Sequence, residues 1–93
     1  MVNIIWSDLA IEDLKSIHDY IAKDSPQYAS KMIDRMLSRV DQLESFPNSG
    51  RVVSEFKQEK LRELIINNYR IVYLVDEQFI SISRVHHSAK NIR

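Results

Sequence analysis

"LRELIINNYRIVYLV" occupies residues 61–75, and its reading decides the fold. Two runs rich in β-branched, aromatic and aliphatic residues, 61–67 and 69–75, meet at the pair Asn67-Asn68. Such runs read as strands. Asparagine tolerates positive φ, so the pair predicts a tight hairpin between them. A third strand-like run, 79–87, follows after the turn residues "VDEQF". The C-terminal half is therefore expected to be an antiparallel meander. Upstream, residues 51–60 read as a polar connection with room for a short strand, and "FPNSGR" supplies punctuation: Pro47 stops a helix, and Gly50, the only glycine, serves a turn.

The N-terminal half has a different period. Residues 2–6 form a short apolar strand. Ser7 is a good N-cap for a helix over 8–23, with Asp8, Glu12 and Asp13 at its positive end. On a helical wheel Ala10, Leu14, Ile17 and Ile21 share one side, opposite Glu12, Lys15, Asp19 and Lys23. Ser25 and Pro26 then open a second helix, expected to reach Ser45. Its apolar positions, Tyr28, Ala29, Met32, Ile33, Met36, Leu37, Val40, Leu43 and Phe46, cover roughly half the circumference, wider than the ~100° stripe of a surface helix. Packing on both the first helix and the sheet explains that width. A partner surface around Tyr28, Met32 and Met36 is the sharper alternative, although methionine often fills core gaps. The predicted order is β-α-α-β-β-β: an α+β fold with a helical hairpin on one face of a small, mainly antiparallel sheet.

Ninety-three residues leave room for one domain, 1–93. The absence of cysteine excludes disulfides, thiol nucleophiles and thiolate metal sites. The opening "MVNIIWSDL" lacks the pattern of a signal peptide, and no run approaches the ~18 apolar residues of a membrane span, so a cytoplasmic protein is expected. The net charge is zero, but residues 1–50 carry five Lys/Arg against eight Asp/Glu, and residues 51–93 carry eight against five. That dipole suits a basic face toward nucleic acid or an acidic partner, though small asymmetries also arise by chance.

Strong catalytic motifs are missing: one glycine makes no phosphate loop, and no HExxH or zinc spacing occurs. His18, at the border of the first helix's apolar stripe, reads as a structural or surface residue. His86 and His87 are adjacent on a strand and point to opposite faces, and no acid follows them, so neither a metal site nor a cofactor is expected. The cations are better placed. Arg84 and His86 share parity, Arg70 lies on the neighbouring strand, and Arg62 on the strand before it. If the helices cover one sheet face, these side chains are candidates to line the other. Such a cluster suits a phosphate, and with a base and an acid it suits attack of a ribose 2′-hydroxyl on its own phosphate. Ordinary exposed sheet residues explain the same spacing, and spacing alone favours that plainer reading.

Four stretches in this order and at this length carry a resemblance: "DLKSIHDYIAKDSPQYA", "FPNSGRVVSEF", "LRELIINNYRIVYLV" and "ISRVHH". Through them the chain resembles the ParE/RelE superfamily of bacterial toxins, the toxic halves of type II toxin–antitoxin modules. The resemblance implies the fold derived above. It also implies one of two activities. RelE-like members cut mRNA on the ribosome with basic residues on the concave sheet face; ParE-like members poison DNA gyrase and lack most of those residues. "DSPQYA", "GRVVSE" and "LRELIINNYRIVY" look like the ParE branch. Leu61 and Glu63 stand where RelE has lysines, and no tyrosine follows "RVHH".

The resemblance therefore implies a gyrase inhibitor without bond chemistry of its own, with Arg84, His86, His87 and Lys90 as the target-contacting surface. The alternative is a ribosome-dependent endoribonuclease using Arg70, Arg84 and His86 or His87. In either case it implies a cognate antitoxin, with Tyr28, Met32 and Met36 as expected contacts.

Overall fold

The structure is a computed structural model and describes residues 2–53 and 59–88. The chain runs β1 (Asn3–Trp6), α1 (Asp8–Ala22), α2 (Pro26–Asp41), a single 3-10 turn (Gln42–Glu44), β2 (Arg51–Val52), β3 (Leu61–Ile66), β4 (Tyr69–Val75) and β5 (Phe79–His87). The expected α+β order holds, with the short strand β2 added at the edge. The second helix ends earlier than Ser45 because its last turn tightens into the 3-10 segment.

Local chemistry explains the boundaries. Ser7 Oγ accepts the Ala10 N–H at 3.0 Å and donates to the Ser83 carbonyl at 2.9 Å, so the cap of α1 is also a tie to β5. Ser25 Oγ caps α2 by accepting the Tyr28 N–H at 3.1 Å, with Pro26 in the first turn. Asn67 takes φ 53°, the positive value that the two-residue Asn-Asn loop requires.

The sheet order is β1-β5-β4-β3-β2. All pairings are antiparallel except β1 with β5. The core lies between the sheet and the helices. Ala10, Met32, Met36, Val40 and Leu43 meet Leu64, Ile71, Tyr73, Ile80, Ile82 and Val85 there, and Leu14, Ile17 and Ile21 pack against its margin. Met36 and Tyr73 are wholly enclosed. The wide apolar face of α2 is therefore largely core. Met32 and Met36 are corrected accordingly: they contact the sheet and offer a partner no surface, whereas Tyr28 is half exposed.

Gly50 serves a different purpose from the turn conformation expected of it. Its φ is not positive. Instead its N–H donates to Tyr73 Oη at 2.8 Å, and an added Cβ would strike that hydroxyl and the Glu63 carbonyl. Tyr73 in turn donates to the Pro47 carbonyl at 3.1 Å, pinning the loop after α2 to the centre of the sheet.

Between β4 and β5 the register slips: Ile82 faces Tyr73 and Arg84 faces Val72, leaving Ser83 as the extra residue of a β-bulge. The bulge falls where β1 stops. β1 pairs with residues 79–82 of β5 and then turns into α1, so β5 beyond Ser83 has β4 on one side and α1 on the other.

Candidate functional site

The expected cluster of cations divides into three separate settings. Arg70 is the most enclosed, 9% exposed. Its Nε and Nη2 approach Glu63 Oε2 at 2.8 and 2.6 Å, and Arg51 Nε donates to Glu63 Oε1 at 2.7 Å. Glu63 is 2% exposed and lies opposite Arg51 across the β2–β3 ladder. One buried carboxylate thus bridges two guanidinium groups. A buried acid is stable in ionised form when paired and hydrogen-bonded this way.

Arg84 forms the second setting. Its Nε and Nη2 donate to Asp13 Oδ2 and Oδ1 at 2.8 and 3.1 Å. Asp13 Oδ2 also accepts the Val85 N–H at 2.9 Å. The carboxylate takes the place of a neighbouring strand on the stretch of β5 that β1 has left. Burial alone would push the Asp13 carboxyl up. The Arg84 hydrogen bonds, the Val85 N–H and the charges of Arg84 and His86 outweigh it and hold the group below the usual value.

Arg62 is the third. It shares a row with Tyr73, on the helix side of the sheet, and its Nη1 donates to the Gly50 carbonyl at 2.9 Å. The expectation that it would join Arg70 on the far face is corrected by that register, which offsets the two by an odd number of residues.

His86 stands opposite Arg70 in the β4–β5 ladder. Both histidines line a cleft of about 720 Å³ between α1 and the ends of β4 and β5, with Asp13, Ile17, Tyr20 and Tyr69. The His87 ring meets Tyr69 edge-on, centroids 5.4 Å apart. Burial pushes the Tyr69 hydroxyl up, and the nearby Tyr28 and Tyr20 add to the effect. His18, the third histidine, lies beside Asp19 on α1, outside this cleft and with its side chain 41% exposed. Lys90 lies outside the described residues. Among the described residues, no group of three or more His, Asp or Glu is arranged to hold a metal ion.

The two acids were the residues that sequence reasoning missed. Both left a signal. Glu63 stands with Arg62 inside a run that is otherwise apolar, and Asp13 falls on the wheel between Ile17 and Tyr20, at the edge of the apolar stripe of α1.

Comparison with known proteins agrees with this architecture. A family model described as the ParE toxin of the type II toxin–antitoxin system, parDE, matches residues 4–92. Toxin RelE2 of Caulobacter vibrioides is 34% identical over 91 residues, 97% of this chain and 99% of that protein. Putative toxin Y4kP of Sinorhizobium fredii is 31% identical over 87 residues, 89% and 88% of the two chains. Among solved structures, the chromosomal ParDE toxin–antitoxin system from P. aeruginosa superposes with a TM-score of 0.77 at 23% identity, covering 94% of this chain and 96% of that one. The YoeB dimer from Staphylococcus aureus gives 0.62 at 20% identity, covering 92% and 95%. These two structures share the fold. With the family model spanning nearly the whole length and a relative above 30% identity, the chain belongs to the ParE family of type II toxin–antitoxin toxins, within the ParE/RelE superfamily.

Proposed function

We propose that this toxin acts in the ParE manner, as an inhibitor of DNA gyrase that performs no bond chemistry itself, and that a cognate antitoxin neutralises it. The observation that carries the reading is the state of the two arginines a nuclease would need. Arg70 is buried against Glu63 and Arg84 is forked onto Asp13, so both charges are already matched by carboxylates of the same chain. A cation that grips the scissile phosphate must offer its donors to substrate. The family model described as a ParE toxin supports the same branch. An antitoxin partner is supported by the related ParDE system and by the YoeB–YefM complex from Staphylococcus aureus. The half-exposed Tyr28 and the histidine cleft are the surfaces left to contact partner and target. Purified toxin incubated with gyrase, ATP and supercoiled plasmid is expected to accumulate cleaved DNA. Supercoiling left untouched at excess toxin overturns the proposal.

A ribosome-dependent endoribonuclease is the second reading. It is favoured by the relative named RelE2 and by His86, which feels the Asp13 charge and lines an open cleft, a setting suited to proton transfer. Codon-phased mRNA cuts in primer extension that vanish in His86→Ala/His87→Ala would establish it.

A further inference from the structure

We propose that the outer edge of β1 pairs with the same edge of a second copy of this chain, antiparallel about a two-fold axis beside Ile5, so that the two sheets join into one. Among the described residues the sheet ends in three edge stretches, and they are not alike. β2 carries Arg51, with its side chain 67% exposed. β5 beyond the bulge has the Asp13 carboxylate on its Val85 N–H. β1 closes the sheet at its other end with the uncharged residues Asn3, Ile4, Ile5 and Trp6, in unbroken register with β5. Charges, prolines and bulges are the devices that keep an edge strand from pairing with another chain, and β1 has none of them.

The hydrogen-bond pattern of β1 selects a second copy as its partner. The Asn3 N–H donates to the Gln78 carbonyl at 3.2 Å, and the Ser7 N–H to the Ile82 carbonyl at 3.0 Å. Backbone groups alternate sides along a strand, so Ile4 and Trp6 aim their N–H and C=O groups away from β5. These two positions are symmetric about Ile5. In an antiparallel pair the opposed residues of a bonded pair exchange both hydrogen bonds. Ile4 then meets Trp6 of the second copy, Trp6 meets its Ile4, and the two Ile5 residues oppose each other in the closer, non-bonded pair. The same patch serves on both copies, as a two-fold interface requires. The side chains fit this register. Ile4 and Trp6 pack against their own core, whereas Ile5 is 51% exposed, so meeting its copy withdraws an apolar side chain from water. No charge opposes a like charge along the pair. Four residues per copy bury less than the ~1,200 Å² of a stable interface, so the dimer is weak and forms as concentration rises.

The proposal stands whichever target the toxin takes, and its test involves neither gyrase nor ribosomes. Sedimentation velocity of the full chain is expected to show a monomer–dimer equilibrium between about 10 µM and 1 mM. Ile5→Lys and Ile5→Glu place like charges across the axis, and each is expected to weaken the dimer at least about tenfold. Mixed in equal amounts, the two variants are expected to restore it, because lysine then opposes glutamate. A wild type that stays monomeric at the highest concentration overturns the proposal. So does a dimer that survives Ile5→Lys unchanged, which would place the contact elsewhere, or a mixture that stays monomeric although both variants fold by circular dichroism. A measurement on the wild type needs no variant. Amide hydrogen exchange at Ile4 and Trp6 is expected to slow on going from the low to the high concentration, and exchange there that ignores concentration refutes the pairing.

Discussion

Glu63 and Asp13 each hold an arginine of the same sheet at similar distances, yet their surroundings differ in kind. The Glu63–Arg70 pair has side-chain exposures of 2% and 10%; the Asp13–Arg84 pair has 16% and 40%. In the first, both charges have left water, and each is tolerable because the other is present. In the second, the carboxylate stands in for a missing strand, and the arginine it recruits remains in contact with solvent. Similar bonds therefore do different work. The buried pair ties β3 to β4, and Arg51 on β2 reaches the same carboxylate. The half-exposed pair closes the edge that β1 leaves open at the bulge. A bare edge invites pairing with other chains, and a charged side chain on its backbone is one way to prevent that.

The contrast is broken most sharply by removing one member of the buried pair. Arg70→Met is expected to cost about 3 kcal/mol, the low end for a stranded buried charge because Arg51 still holds one Glu63 oxygen. Glu63→Leu/Arg70→Met should recover most of that loss, since two apolar side chains of similar size leave no charge to desolvate. Denaturant unfolding of the three proteins measures both steps. A double variant no better than the single would mean that the pair is not the unit described here.

How much of this was legible beforehand follows the same division. Periodicity and capping residues located the helices, and Asn67-Asn68 located the hairpin, because these are local properties of the chain. The helix face over Ala29, Met32, Met36 and Val40 was legible as apolar but ambiguous in purpose. Only its position above β3–β5 decides that Met32 and Met36 are core. The site was less legible, for two physical reasons. An arginine's partner is set by tertiary contact: Asp13 and Arg84 are 71 residues apart. The bulge at Ser83 adds a residue that changes which side chains share a face, and nothing in "ISRVHH" announces it.

At the half-exposed pair, Asp13→Asn is expected to cost about 1–2 kcal/mol, because the neutral amide accepts less strongly from Arg84 and from the Val85 N–H. The sign of the pH dependence follows from the lowered carboxyl. A group whose folded pKa lies below its unfolded value adds stability fully above the unfolded value, and that stability is lost as pH falls through the folded one. The wild type should therefore lose its advantage over Asp13→Asn on acidification below the ordinary carboxylate range. Parallel stability curves for the two proteins across that range would refute the assignment.

Arg84→Ala should be milder still, about 0–1 kcal/mol. Its guanidinium faces water, and when it is removed Asp13 keeps the Val85 N–H, so the edge remains capped. Salt then separates the two regions. The screening length between exposed charges falls from about 10 Å at 0.1 M to about 3 Å at 1 M, and buried pairs are screened much less. Raising salt should therefore erase the difference between wild type and Arg84→Ala while leaving that between wild type and Arg70→Met nearly intact. If both differences shrink together, Arg70 is more accessible to ions than its burial implies.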